Sequence, residues 1–489
     1  MSRSFHVILV SALFTVTLAS QTQAASHCVN PTGSGNCFAA IQDAVDAAVA
    51  GDKISIKNGV YFENVTVPAG MEGLRISGSK NAILDPGEDM DAATVDNTGD
   101  GFLVESNDVT IQGFTIRNGE SGANSIALAD GVTGTTIDRM RFVNCGDDCI
   151  QSEGLGNHDT LVKNCSFFGS SNDGTIDLVG DMIELNRNHV LGGDNDPVQV
   201  DGDDMIVERN TILLNGNDTD CTRFVGDRAE IVRNVIEGCS NDAIELTGND
   251  ALISRNRIEN ADAGIVVTGD NPVITNNHMH HIFDDEGIDV NCSGACDQGM
   301  VSRNRMFQGP DDADGMEIDA TDGFTVERNI AEQFTDKAYD LNLTNGIVSR
   351  NRAIDSSAIE GDPCFEISGD GSMYDRNSAD GCSDGFRVLS NDNTFDRNTA
   401  TGGAEDGFEV DNSADGNTFT NNRATNNAGV GFELDDGTTN TTLTNNQASG
   451  NHTDLCDDAA GTVLTDNKFD TTYANNTPDD GDDECPILD

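Results

Sequence analysis

One phrase recurs down this chain and limits what it can fold into: an apolar or β-branched residue, two polar residues, an asparagine, then an apolar or small residue. It appears fourteen times, at Asn164, Asn188, Asn210, Asn234 and onward to Asn446 and Asn467, at intervals of 21 to 27 residues. An interval of that length is one coil of a repeat architecture. Asn tolerates left-handed backbone and hydrogen-bonds its own turn, so each Asn is expected at a tight corner. Stacked Asn side chains can also bond one another up the stack.

A second phrase lies between the asparagines: a Gly or small residue followed by apolar, polar, apolar. Ala243-Ile244-Glu245-Leu246, Gly315-Met316-Glu317-Ile318 and Gly407-Phe408-Glu409-Val410 are examples. The alternation has the period of a strand, with the middle residue outward. Together the two phrases predict an all-β, single-stranded right-handed parallel β-helix in which every coil adds a rung to the same sheets, about 4.8 Å above the last. Read in order, the outward ladder is Gln151, Asp177, Gln199, Arg223, Glu245, Val266, Asp289, Glu317, Asp340, Glu366, Arg387, Glu409, Glu433. Seven of the last nine are acidic. Like charges at this spacing repel, so the row is either a solvated face of an acidic protein or a stripe for cations or a ligand.

Solenoids need capped ends. Phe38, Ile41, Val45 and Val49 have helical spacing, so a capping helix is expected over Cys37 to Val49. Residues 1–25 read as a signal peptide: Arg3, an apolar run from Val7 to Ala19, then Ala24 and Ala25. Residues 26–100 would hold the cap and first coils, 101–470 the main stack, and 471–489 an acidic tail. No run is long enough to span a membrane, so a secreted, extracellular or periplasmic monomer is expected.

The thirteen cysteines support export and disulfide bonding. Cys28 and Cys37, Cys145 and Cys149, and Cys292 and Cys296 sit at short spacings, and the sequence leaves the pairing open. Spacings near one coil suggest Cys145 with Cys165, Cys221 with Cys239 and Cys364 with Cys382, and one cysteine is left over. The formal net charge of −58 excludes a nucleic-acid binder by field alone. Two causes fit it: salt adaptation, or divalent cations held by carboxylate oxygens, the preferred ligands of calcium. His278, His280 and His281 form a cluster read as a corner surface.

The stretch Phe38-Ala-Ala-Ile-Gln-Asp-Ala-Val-Asp-Ala-Ala, then Gly51-Asp52-Lys53-Ile54 and Gly59-Val60-Tyr61, resembles the start of the pectate-lyase-like β-helix superfamily. Residues from Cys145 to Asn234 are similar to the central coils of the calcium-dependent pectate lyases. That resemblance implies Ca2+ at Asp148 (Asp147 as the alternative), Asp173 and Asp177, with Arg223 as the catalytic base. It also implies an acidic polysaccharide as partner and β-elimination of a uronate chain as the reaction. Pro197 stands where that family has a lysine, and its R-x-P-R phrase is absent. The Asp-Gly of the motif recurs at Asp314, Asp384 and Asp406, so local repetition also explains it. Gly146-Asp147-Asp148-Cys149 matches one element of the polygalacturonase-type hydrolases. The other function class open to the chain is a non-catalytic, calcium-stabilised surface or adhesion solenoid.

Overall fold

A computed structural model describes residues 24–474 except 87–98, 120–121, 153, 155, 171–173, 194–195, 215–219, 308–312 and 357–360. The described chain winds into a parallel β-helix. Each coil contributes one strand to each of three sheets, here called A, B and C, which hold 19, 18 and 18 described strands. One coil shows the plan: Ile126–Leu128 lies in sheet C, Thr136–Asp138 in A and Arg141–Cys145 in B, and Ile150–Ser152 then pairs in parallel on Ile126–Leu128.

The strands are two to eight residues long because the corners recur so often. Inward residues are aliphatic in the middle coils, with Ile244, Ile265 and Ile288 stacked in sheet C and Ile212, Ile236 and Ile258 in sheet B. Towards the C-terminus the inward residue of sheet C becomes aromatic. Tyr339, Phe365, Phe386, Phe408 and Phe432 stack with ring centroids 4.6 to 4.8 Å apart. In the same coils sheet B turns to alanine, with Ala331, Ala353, Ala379, Ala400 and Ala424 all buried. The cross-section is finite and close-packed, so a larger side chain on one wall requires a smaller one on the wall it faces.

The asparagine ladder differs from expectation in one respect. The left-handed residue at the corner between sheets A and B is the one before each Asn: Arg187, Arg209, Arg233 and Arg255 have φ of 56° to 59°. The Asn that follows points inward and is buried. In a central rung, Asn329 Oδ1 accepts the main-chain N–H of Asn304 at 2.9 Å and its Nδ2–H at 3.1 Å. Asn329 Nδ2 in turn donates to the Val301 carbonyl at 2.9 Å and to Asn351 Oδ1 at 3.0 Å. The pattern repeats from Asn188 to Asn467, which confirms the stacked ladder. Asn164 does not belong to it. Asn164 has φ 54°, and Cys165 takes the ladder position, donating its N–H to Asn188 Oδ1.

The predicted capping helix is shorter than its pattern. The helix is Ile41–Asp46, with Ile41, Ala44 and Val45 buried. Phe38 is taken by a bridge to Val29, and Val49 is 60% exposed at a turn held by the Asp52 carboxylate. The signal-peptide segment up to residue 23 and most of the acidic tail, 475–489, lie outside the described residues.

Among the described residues five disulfides join Cys28–Cys37, Cys145–Cys149, Cys221–Cys239, Cys292–Cys296 and Cys364–Cys382. The Cys145–Cys165 alternative does not form. Cys165 is a free, buried thiol that burial pushes up to about 12. Disulfides at this density belong to chains that mature in an oxidising compartment. Among the described residues no helix is long and apolar enough to cross a membrane.

Candidate functional site

Sheet C carries the residues that sequence analysis singled out. Its strands alternate inward apolar with outward polar residues, and parallel registry places the outward ones in a single column. Gln151 aligns with Asp177, Asp177 with Gln199, Gln199 with Arg223, and Arg223 with Glu245. The same registry continues through Asp289, Glu317, Asp340, Glu366, Arg387, Glu409 and Glu433. The outward ladder is therefore present rung for rung.

The predicted site residues are distributed as follows. Asp177 and Arg223 share that column, two rungs apart with Gln199 between them. The Arg223 guanidinium Nε lies 3.4 Å from Glu245 Oε2. Asp148 is in the turn before Ile150–Ser152, 3% exposed, and its N–H donates to Asn124 Oδ1 at 3.2 Å. Asp173 lies outside the described residues. Among the described residues no three His, Cys, Asp or Glu side chains converge on one point that could hold a metal ion.

The structure adds a second column that period-two reading missed. Three residues before Arg223, Glu245, Asp289, Glu317, Arg387 and Glu409, where the chain enters sheet C, stand Asp220, Asp242, Glu286, Asp314, Asp384 and Asp406. The signal was an acid-x-x-acid spacing, as in Asp242-x-x-Glu245, Glu286-x-x-Asp289, Asp314-x-x-Glu317 and Asp406-x-x-Glu409. The corner carboxylates brace neighbouring coils: Asp384 Oδ1 accepts the Asp406 N–H at 2.8 Å, and Asp314 Oδ1 the Lys337 N–H at 2.7 Å. The glycine after the acid has a packing cause. A Cβ on Gly385 would lie 2.4 Å from the Gly407 carbonyl oxygen and 2.5 Å from the Ala400 Cβ. The recurrent Asp-Gly phrase is thus a feature of the coil corner.

Two acidic columns side by side, partly buried, strain each other's ionisation. Burial, reinforced by Asp220 and Glu245, raises Asp242 to about 7. Burial with Glu317 and Asp285 raises Asp289 to about 6. Asp314 rises to about 8 through burial, against the pull of Lys337. Glu409 reaches about 8 through burial and Asp384, although Arg387 opposes the shift. Asp406 reaches about 9 through burial and its hydrogen bond and proximity to Glu433. Only a few cations are interleaved. Lys337 Nζ lies 2.8 Å from Asp340, 3.6 Å from Glu366 and 3.8 Å from Asp314. Burial opposes its charge, but the hydrogen bond to Asp340 and these carboxylates win, and Lys337 is held well above the usual lysine range. Arg387 Nε sits 3.3 Å from Glu409.

A separate hollow of about 360 Å³ opens on sheet B, lined by Leu191, Gly192, Leu213, Leu214 and Glu237. It contains none of the predicted site residues.

A stack of coils that each add one parallel strand to each of three sheets is a β-helix. The family described as right handed beta helix region matches at residues 124–277, 221–361 and 286–477, and the chain belongs to it. No curated protein matches the chain. Among solved structures it is similar to PfbA, a surface adhesin of Streptococcus pneumoniae, at 13% identity over 57% of this chain and 87% of that one, TM-score 0.39. It is also similar to the DFA-IIIase of Arthrobacter chlorophenolicus A6, at 13% identity over 68% and 84%, TM-score 0.38. An alginate lyase solved with a trisaccharide matches at 12% identity over 94% and 91%, TM-score 0.32.

Proposed function

We propose that this is an exported β-helix that engages an acidic polysaccharide along sheet C, with calcium joining its carboxylates to those of the polymer. The observation that carries this reading is the double acidic column, in which Asp242, Asp314 and Glu409 are among the partly buried members raised in pKa, and which is only sparsely neutralised by Arg223, Lys337 and Arg387. Calcium suits the donor chemistry, since it takes hard carboxylate oxygens in flexible geometry. Bound there it would relieve the repulsion and let a polyanion approach an acidic face.

The test combines melting and binding. Millimolar calcium should raise Tm, EDTA should lower it, and polygalacturonate should bind sheet C only with calcium present. The double variant Glu317→Gln, Glu409→Gln should lose most of the calcium effect. A melting curve indifferent to calcium and EDTA would overturn the reading.

The second reading, β-elimination, is favoured by the two-rung placement of Asp177 and Arg223. In it Asp148, Asp173 and Asp177 hold calcium, which would acidify the proton beside the uronate carboxylate. Arg223 would take that proton, and its Nε lies 3.4 Å from Glu245 Oε2, a contact the substrate would have to replace. Unsaturated product that appears with calcium and vanishes in Arg223→Ala would establish it; no product from polygalacturonate or alginate would sink it.

A further inference from the structure

The corner between sheets A and B is the one place where this acidic chain concentrates positive charge. Ten of its 21 arginines occupy the left-handed position before the ladder, from Arg139 to Arg397, with φ of 53° to 59°. The backbone there does not ask for arginine. Asn276, Asn421 and Asn445 fill the same position with φ of 59°, 59° and 55°, and Asn is the better suited residue. The arginines are therefore retained for something other than the turn.

Between Arg233 and Arg352 the column is doubled. Arg257, Arg305 and Arg352 stand two residues after Arg255, Arg303 and Arg350, outward at the start of sheet B. Among the described residues the eight arginines of this stretch reach five carboxylates: Glu208, Glu259, Glu327, Glu332 and Asp380, with Glu327 shared by Arg303 and Arg328. Arg255 and Arg350 are exposed and make no ion pair among the described residues. The excess is felt locally: after burial, Arg305 and Arg257 are the main influences that lower the pKa of His278.

We propose that this arginine rail is a calcium-independent binding surface for a linear anionic glycan. Its charges repeat at the rung spacing, so from Arg187 to Arg397 they extend over about 43 Å. A straight, periodic row suits a polymer with a charge on successive units better than a globular acidic partner. Each guanidinium offers forked N–H donors to a carboxylate or sulfate. The inference rests on the acidic-polysaccharide reading above but uses a different face and no metal.

The test uses polygalacturonate and dextran sulfate in EDTA at low salt. The variant Arg255→Asn, Arg303→Asn, Arg350→Asn installs a residue the corner already accepts, so its circular dichroism and Tm should match the parent. Its affinity for both polymers should fall about tenfold, with a shallower salt dependence. Arg228→Asn, off the rail at the corner between sheets C and A, should bind in EDTA as the parent does. The proposal is overturned if the triple variant binds as tightly as the parent. It is equally overturned if the parent binds only with calcium, an outcome that leaves the sheet C reading standing. Tighter binding to duplex DNA than to either glycan would overturn the choice of partner. Binding in EDTA together with a calcium-indifferent melting curve would keep the rail and remove the sheet C reading.

Discussion

The corner between sheets A and B and the outer face of sheet C are both polar columns repeated once per coil, yet they are solved in opposite ways. At the corner the buried Asn groups satisfy each other and the main chain from Asn188 to Asn467. On sheet C the columns are half-buried carboxylates with few counter-charges, and several hold protons more tightly than carboxylic acids normally do. The buried asparagine column, unlike the arginines outside it, is fully paired and has no capacity for a ligand. The second stores repulsion that a proton or a cation can release. A repeat therefore marks structure where its polar groups close on each other, and a candidate surface where they do not.

The largest effect should come from breaking the closed column. Asn329→Leu removes the acceptor for the Asn304 N–H and the donor to the Val301 carbonyl, leaving buried main-chain groups without partners. Each such group costs about 1–3 kcal/mol, so a loss of about 3 kcal/mol or more is expected in urea unfolding. An effect below about 1 kcal/mol would show that water replaces the ladder. Next, Phe386→Ala should cost about 3 kcal/mol by opening a gap in the aromatic stack. The compensating Ala400→Leu in the same variant should recover part of that loss if the two walls share one volume.

The open column should respond to pH. A carboxyl whose folded pKa lies above its unfolded value contributes stability that is fully present below about pH 4. That contribution is lost as pH rises through the folded values, about 6 for Asp289 and about 9 for Asp406. Without calcium, Tm should fall between pH 5 and 9, and calcium should flatten the slope. A Tm that climbs over that range would break the contrast. The smallest effect is expected at the corner surface: Arg255→Asn alone should leave Tm within about a degree, because Asn276 already serves the next coil.

Much of this was legible in the sequence. Period-two alternation and rung-length spacing located every outward residue of sheet C, from Gln151 to Glu433, in its true column. Asn164 was misassigned because residue type was matched, and its neighbour Cys165 carries the ladder position there. The second acidic column was legible only in part, as the Asp-Gly of Asp314, Asp384 and Asp406, because it lies at a corner, three residues ahead of the outward position. Asp148 and Asp177 occur in a plausible phrase, but registry places them in different coils and columns.

The sequence by itself determined the repeat, and with it the parallel stack, the Asn ladder and the acidic outward face, because these depend on local periods of 2 and of about one coil. Only the tertiary structure decided which polar groups close on each other. It also set how deeply the carboxylates of sheet C are buried and which arginines lack a counter-charge. Those properties depend on neighbours some 20 residues away along the chain and one rung away in space, and a linear pattern carries no measure of that proximity.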